Sequence, residues 1–274
     1  MRNFLIIVVG VLLGSPLLAG CSNDNSNEAP QKANDTEAST KNNEVKFYIV
    51  RHGETMLNTT DRVQGWSDAV LTPDGKEIVQ SAGKGLKDVD FSSAYTSDSG
   101  RAVETANIIL DENESASNVE LNSDERLREF NFGSYEGDLN ETMWNEIAEN
   151  QGITLDEFLE DLTPKDFANN VAELDKDKIE EGENWPAEDY ETITDRLTEA
   201  IHEIAEEESE NGGGNVLVTS HGLSIGALLD SLSDDFELPS DGLDNASVST
   251  VNYKEKSFHI EEVNDMSYVK EGKK

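Results

Sequence analysis

The sequence has a single cysteine, Cys21, among its 274 residues. One cysteine cannot form a disulfide bond within the chain, so the fold has to be stabilised by a hydrophobic core. Basic residues are also scarce, because 58 aspartates and glutamates outnumber 21 lysines and arginines and give a formal net charge of −37. Such a surface argues against binding to nucleic acid or to anionic lipids. We interpret it as a solvated exterior, with adaptation to a salty or wall-associated setting as the alternative.

The N-terminus carries a short apolar run at residues 4–13, preceded by the positively charged Arg2. Its length and its early interruption by glycine and proline favour a secretory signal over a transmembrane helix. The tetrapeptide Leu18–Cys21 resembles the bacterial lipobox, in which the cysteine is diacylated and becomes the first mature residue. We therefore predict a lipoprotein signal peptide at 1–20, lipidation of Cys21, and an extracytoplasmic protein anchored to the bacterial cell membrane. An ordinary signal peptide with a chance cysteine is the alternative.

The rest of the chain divides by composition into a linker and one domain. Residues 21–43 contain no large apolar side chain, which is typical of a flexible polar linker. The globular domain is predicted over residues 44–265, and residues 266–274 are predicted to be a polar tail. The length of the domain suits one sizeable core with an insertion.

Strand and helix patterns alternate through the first half of this domain. Val45–Val50 is apolar enough for a buried strand, and a helix is predicted from Pro73 with Thr72 as its N-cap. A second strand is predicted at Phe91–Asp98, followed by a helix over residues 99–110. The alternation indicates an α/β fold, a three-layer sandwich with a mostly parallel central sheet and helices on both faces.

This alternation stops over residues 131–188, where short helical patterns carry many acidic side chains. We interpret this stretch as a helical cap inserted over the sheet. A long amphipathic helix is predicted from Tyr190, and a second apolar strand, residues 215–220, ends on His221. A further helix and a hairpin that turns at Lys254–Lys256 complete the domain.

Two apolar strands therefore end on a histidine that glycine follows, at His52 and at His221. In open α/β sheets, ligands bind beyond the carboxyl ends of the strands, so we expect both imidazoles at one edge. Arg51 precedes the first histidine, and Arg101 lies in the helix after the second predicted strand. Cations and imidazoles at one sheet edge are typical of a site that binds an anion and attacks it.

Four segments, in order, resemble the histidine phosphatase superfamily, in its phosphoglycerate-mutase-like branch. They are RHGETMLNTTDRVQGWSDAVLTPDG at 51–75, YTSDSGRAVETA at 95–106, RLREFNFGSYEG at 126–137 and VLVTSHG at 216–222. Together they span most of residues 45–253. A lone RHG triplet would be weak evidence, whereas four ordered blocks are specific.

The resemblance implies a role for each matched residue. His52 would be the nucleophile that forms a phosphohistidine, with His221 as a further donor to the phosphoryl group. Arg51 and Arg101 would bind the phosphoryl oxygens, because planar guanidinium groups match them. Glu129 would protonate the leaving oxygen and then deprotonate the attacking water.

Other matched residues have weaker support or two interpretations. Asn58 would add an uncharged donor, and Gln64 and Gly65 would line the substrate pocket. Arg62 is either a substrate contact or a structural ion-pair partner. Glu129 has two acidic competitors nearby, at positions 125 and 136. The tryptophans at 66, 144 and 185 are interpreted as packing residues, and no metal or other cofactor is predicted because no ligand cluster has metal-binding spacing.

The sequence thus predicts an exported, membrane-anchored phosphatase that hydrolyses phosphate monoesters of small molecules. One alternative is a phosphoglycerate mutase-type phosphotransferase. Mutases of the family carry arginine after the catalytic glutamate and a Trp-Arg-Arg stretch in the insertion, whereas here Phe130 follows Glu129 and residues 144–162 contain no base. The other alternative is a non-catalytic phosphate-ester-binding lipoprotein, which would need Arg51 and Arg101 but not His52 or Glu129.

Overall fold

A computed structural model describes residues 43–160, 163–179, 185–239 and 241–274. The predicted signal peptide at 1–20, Cys21 and the linker up to residue 42 lie outside the described residues. Within the described ranges, no helix combines the length and the apolar character needed to cross a membrane.

A six-stranded sheet forms the centre of the described domain. Its strands are β1 Val45–Arg51, β2 Phe91–Thr96, β3 Leu121–Ser123, β4 Gly214–Ser220, β5 Val248–Lys254 and β6 Ser257–Asp265. Their order across the sheet is β3-β2-β4-β1-β5-β6. The pairs among β1 to β4 are parallel, while β5 pairs antiparallel with both β1 and β6. The mostly parallel central sheet is therefore confirmed.

Helices cover both faces of this sheet. They are α1 Met56–Thr59, α2 Pro73–Gly85, α3 Gly100–Asp111, α4 Asn140–Gln151, α5 Leu155–Glu160, α6 Pro164–Lys176, α7 Tyr190–Glu210, α8 Gly222–Leu232 and α9 Ser267–Gly272. Alternate side chains of β1 point to opposite faces. Phe47 and Ile49 pack with α7, α8 and the cap, whereas Tyr48 and Val50 pack with α2, α3 and α9. The three-layer α/β sandwich is thus confirmed.

The start of α2 follows from its sequence. The hydroxyl oxygen of Thr72 accepts a hydrogen bond from the amide of Gly75 at 2.9 Å, and Pro73 occupies the first helical turn. Proline is tolerated there because the first amides of a helix have no partner within the helix. The predicted N-cap is therefore confirmed.

The stretch predicted as a cap contains α4, α5 and α6. Ile147, Phe158 and Val171 from these helices are buried in the same apolar cluster as Phe47 of the sheet. One buried carboxylate, that of Asp175 in α6, fixes both ends of this stretch. It accepts hydrogen bonds from the amide of Ser134 at 2.8 Å and from the amide of Ala187 at 2.7 Å.

Three features differ from the sequence-based expectation. Residues 266–274, expected to be a polar tail, contain α9, which packs on α2 and buries Val269 to 2% exposure. A six-residue helix has too few turns for its periodicity to be recognised. The strand β3 was not predicted, since three residues cannot show alternation. The second strand ends at Thr96, two residues before the predicted end.

The contact between α2 and α9 depends on glycine. A Cβ atom at Gly85 would lie 2.1 Å from the carbonyl oxygen of Tyr268, and one at Gly272 would lie 1.8 Å from that of Ser81. Real Cβ atoms do not approach backbone oxygens this closely, so the two helices are in direct backbone contact.

We expect Gly85→Ala to lower the free energy of unfolding by about 1–3 kcal/mol, because overpacking outweighs the gain in helix propensity. Gly83→Ala in the same helix is the matched control, since its nearest neighbours would lie 3.1 Å away. Urea unfolding followed by circular dichroism measures both. Equal effects of the two substitutions would contradict the described docking of α9.

Candidate active site

The two strand-end histidines lie side by side at the carboxyl edge of the sheet. β1 and β4 are parallel neighbours, and the amide of His52 donates to the carbonyl of Ser220 at 3.0 Å. The imidazole centroids of His52 and His221 are 5.2 Å apart. The side chains are nearly inaccessible, at 3% and 0% exposure. The crevice lies where the chain switches from helices on one sheet face to helices on the other, a common ligand site in α/β folds.

The tautomer of His52 follows from one hydrogen bond. Its Nδ1 atom lies 2.8 Å from the carbonyl oxygen of Gly53. A carbonyl only accepts, so Nδ1 carries the proton and Nε2 keeps its lone pair in the neutral ring. The ring therefore has an unprotonated nitrogen available for attack.

Burial and nearby cations keep both imidazoles neutral. Burial lowers the pKa of His52 well below 6.5, and the positive charges of Arg101 and Arg51 lower it further. The pKa of His221 is also lowered well below 6.5, first by burial and then by Arg101. Neither ring nitrogen of His221 has a hydrogen-bond partner among the described residues. Both rings can therefore interact with a bound group without first losing a proton.

Arg101 is a fully buried guanidinium that backbone carbonyls hold in place. It is 1% exposed, and it donates to the carbonyls of Gly65 at 2.7 Å and Ser67 at 3.0 Å. It also contacts the carboxylate of Asp68 at 3.0 Å. Its Nε–H has no partner within the described ranges, so it remains free to bind an anion.

Arg51 lies on the same edge and is only partly engaged. Its Nη1 atom donates to the carbonyl of Leu243, and its buried Nε–H has no partner in the described part of the chain. Two guanidinium groups with free Nε–H donors thus approach the paired histidines from β1 and from α3. Fixed donors of this kind stabilise a bound phosphoryl group.

Glu129 is held at the N-terminus of α8. Its Oε1 atom accepts from the amide of Ser224 at 2.8 Å, from the hydroxyl of Ser224 at 2.9 Å and from the amide of Phe130 at 3.1 Å. Its Oε2 atom accepts from the amide of Leu223 at 3.1 Å. The first amides of a helix lack partners within it, so they can hold the carboxyl group of Glu129 in place. Glu129 also faces the cleft described below.

The competing glutamates have other environments. The carboxylate of Glu136 accepts from the amides of Gly65, Trp66 and Ser67 at 2.8–3.1 Å, which fixes the loop that holds Arg101. Glu125 is exposed and lies 3.5 Å from Arg128. Of the three acids, Glu129 is the one in the lining of the cleft among the described residues.

Thr55 orients the two side-chain amides of the site. Its backbone N–H donates to Oδ1 of Asn58 at 3.1 Å, so the Nδ2 group of Asn58 is left as the donor. The Thr55 hydroxyl lies 2.5 Å from Oε1 of Gln64, whose buried Nε2 has no partner in the described ranges. Both residues line the cleft.

Gly65, by contrast, lies outside the described lining of the cleft. Its carbonyl holds Arg101, and a Cβ atom there would lie 2.1 Å from the carbonyl oxygen of Phe130. Gly65 therefore positions Arg101 and allows close backbone packing. It does not line the described pocket, contrary to what was expected from the sequence.

A cleft of about 290 Å³ is lined by some of these groups, whereas His52, Arg101 and His221 lie outside its described lining. Its floor is polar and includes Arg51, Asn58, Gln64 and Glu129. Six side chains form what we call the apolar wall: Phe132, Met143, Trp144, Phe167, Leu238 and Leu243. Trp144 therefore lines the cleft, whereas the sequence predicted only a packing role for it.

Arg62 also lines the cleft, near its rim. It is exposed, and it donates to the carbonyl of Gly137 at 2.7 Å. Among the described residues, no carboxylate pairs with it. The structural ion pair, which is one of the two interpretations of Arg62, is thus not observed.

Sequence reasoning missed one half-buried ion pair, that of Arg196 with Glu188. The Nε and Nη2 atoms of Arg196 donate to the Glu188 carboxylate at 2.8 and 2.9 Å. The same guanidinium donates to the carbonyls of Arg126, Arg128 and Glu129 at 2.7–2.9 Å. It thereby fixes the backbone that carries Glu129. In the sequence, the only sign that Arg196 has a structural role is the scarcity of arginine.

The described residues contain no group of three or more histidine, cysteine, aspartate or glutamate side chains placed to hold a metal ion. The positive charge at the site comes instead from Arg51, Arg101 and the dipole of α8.

The buried neutral histidines predict how stability depends on pH. Below pH 6.5 the unfolded chain binds protons at positions 52 and 221, whereas the folded chain does not, because its histidine pKa values are lowered. The free energy of unfolding should therefore fall as the pH falls below 6.5, by up to about 1.4 kcal/mol per pH unit for each histidine.

We expect His221→Asn to reduce this slope, measured by urea unfolding between pH 5 and 7. The same slope in His221→Asn and in the unsubstituted protein would contradict the prediction.

Known proteins resemble this chain in sequence and in fold. The crystal structure of phosphoglycerate mutase from Bacillus anthracis str. Sterne is 39% identical, with a TM-score of 0.78, over 85% of this chain and 99% of that chain. The probable phosphoglycerate mutase GpmB of Yersinia pestis (strain Pestoides F) is 30% identical over 78% of this chain and 87% of its own length.

A mycobacterial glucosyl-3-phosphoglycerate phosphatase shares the fold, with a TM-score of 0.60 at 20% identity over 81% of this chain and 99% of that chain. The family model described as histidine phosphatase superfamily (branch 1) matches residues 47–266. This match spans all of the sheet except the first two residues of β1, together with the cap and every residue of the site described above. The chain therefore belongs to branch 1 of the histidine phosphatase superfamily.

Proposed function

We propose that this protein hydrolyses phosphate monoesters of small molecules through a phosphohistidine on His52. One observation carries the proposal. His52 is a buried neutral imidazole whose proton is fixed on Nδ1 by Gly53, and it lies beside two guanidinium groups with free Nε–H donors. A nucleophile and fixed positive charge together suit phosphoryl transfer.

In the first step, Nε2 of His52 attacks phosphorus and the bond from phosphorus to the leaving oxygen breaks. Glu129, as the carboxylic acid, gives its proton to that oxygen. Arg51, Arg101 and His221 donate to the phosphoryl oxygens, where negative charge must be stabilised. Asn58 and Gln64 add uncharged amide donors.

In the second step, a water molecule attacks the phosphohistidine. Glu129, now a carboxylate, accepts a proton from the water while the phosphorus–nitrogen bond breaks. Inorganic phosphate leaves, and His52 regains its lone pair on Nε2. The positive charge in both steps belongs to the protein, so we propose that the reaction needs no metal ion and proceeds in the presence of EDTA.

The mutase-type alternative is favoured by the names of similar proteins, two of which are given as phosphoglycerate mutases. A mutase has to hold a second anionic group of its substrate. Here Phe130 is buried at 1% exposure, and Arg128 turns away from the cleft to pair with Asp98 and to stack on Trp66. These contacts favour hydrolysis over the mutase reaction. Interconversion of 2- and 3-phosphoglycerate, measured beside phosphate release, separates the two activities.

A non-catalytic phosphate-ester-binding protein is the remaining alternative. Binding alone would need the two arginines but neither a free Nε2 on His52 nor an acid beside it. The retention of both groups in one site supports catalysis.

We expect His52→Ala to abolish phosphate release and to abolish any acid-labile phosphoprotein formed from substrate. Glu129→Gln is the comparison variant, since it keeps the nucleophile. It should lower turnover by about 100-fold or more for alkyl esters and less for aryl esters, whose leaving oxygens need less protonation. Rapid-quench labelling and phosphate-release assays measure these effects. Unaltered activity in His52→Ala would exclude the phosphohistidine mechanism.

We also propose that the protein is exported and anchored to the membrane through a lipid on Cys21. The support is the lipobox-like tetrapeptide Leu18–Cys21 followed by the polar residues 22–43. Two acyl chains give stable membrane binding, whereas a single chain gives marginal binding.

We expect Cys21→Ala to move the protein out of the membrane fraction or to leave it unprocessed. Fractionation and mass spectrometry of the N-terminal peptide test this, with Ser22→Ala as the control. Identical fractionation of Cys21→Ala and the unsubstituted protein would contradict the proposed anchor.

A further inference from the structure

The leaving group of a bound ester would contact the apolar wall. Phe132, Met143 and Phe167 of the wall are fixed in the core, at 2–4% exposure each. Trp144 of the cap and Leu238 after α8 are half-buried and complete the wall from two directions. Apart from its polar floor, the cleft is therefore lined mainly by hydrocarbon and aromatic surface.

The charged side chains that line the cleft outside its polar floor balance one another. Beyond the polar floor, the described lining contains one cation, Arg62, and one anion, Asp241. Arg62 already donates to the carbonyl of Gly137. A second phosphate or a carboxylate on the substrate would thus meet no excess of positive charge in this part of the lining, and burying it would cost free energy.

We propose that the preferred substrates are phosphate monoesters whose leaving group is an uncharged, largely apolar alcohol. This inference rests on the proposed phosphatase function and adds the chemical class of the substrate. A cleft of about 290 Å³ is close to the lower limit for small-molecule sites, so the alcohol is small, of the size of a hexyl or benzyl group.

The wall acts on binding rather than on the chemical step. It contacts the leaving group equally in the ground state and in the transition state, because it lies away from the reacting bonds. Uniform binding of this kind lowers KM and leaves kcat nearly unchanged. The substrate class can therefore be recognised from KM along a series of alcohols of equal acidity.

The test uses ethyl, butyl and hexyl phosphate, because their leaving alcohols differ in length but hardly in acidity. We expect kcat/KM to rise about two- to fourfold per methylene, through KM, so that hexyl phosphate exceeds ethyl phosphate more than tenfold. 3-Phosphoglycerate, which carries a carboxylate, should be a poorer substrate than butyl phosphate.

Two variants of the wall locate the effect. Trp144→Gln and Leu238→Gln change half-buried positions, so the core is preserved, and each should reduce the dependence of KM on chain length. Ile153→Gln is the matched control, since Ile153 is 37% exposed and lies in the cap region outside the described lining. It should retain the full dependence.

The possible outcomes separate this inference from the proposed function. The inference is overturned, and the proposed phosphatase function stands, if all esters release phosphate and ethyl and hexyl phosphate have the same kcat/KM. The same conclusion follows if 3-phosphoglycerate is the best substrate. Absence of phosphate release from every ester overturns the proposed function as well. A chain-length dependence that Trp144→Gln and Leu238→Gln both retain in full excludes the apolar wall as its cause.

Discussion

The parallel pairing of β1 with β4 is the constraint on which the site depends. The register places Arg51 beside Ser220, so the next residue of each strand is a histidine at the same edge. A shift of one residue would turn each side chain to the opposite face of the sheet. The apolar layers on both faces prevent such a shift, because Phe47 and Tyr48 would each exchange one core for the other. Core packing therefore sets the distance between the two imidazoles.

Carboxylates hold the backbone around this edge. Glu136 binds the amides of the loop before Arg101, Glu129 binds the first amides of α8, and Asp175 joins α6 to Ser134 and Ala187. Glu188 uses both oxygens to hold Arg196, which in turn binds the carbonyls around Glu129. The acidity of the chain thus has two components. Most acids are solvated at the surface, while a few replace secondary-structure hydrogen bonds in loops.

The fold class and the strand-end residues could be predicted from the sequence because local patterns encode them. An apolar run that stops at Arg51 and His52 is visible without the rest of the chain. The surroundings of Gly65 could not be predicted, because they depend on Glu136, 71 positions away. The place of Trp144 in the cleft depends on how the cap packs, and acidic short helices carry little information about packing. The helix α9 is too short for its buried face to be recognised.

The cleft combines parts of different origin in the chain. Its floor comes from the end of β1, from α1 and from two loops, and backbone amides hold the side chains of Asn58 and Glu129 there. Its apolar wall comes chiefly from the cap and from the segment after α8, and none of the hydrogen bonds to His52 or Arg101 passes through these wall side chains in the described structure. Natural selection can therefore exchange residues of the wall, and with them the surface that a bound group would meet, while the hydrogen bonds of the floor are inherited unchanged.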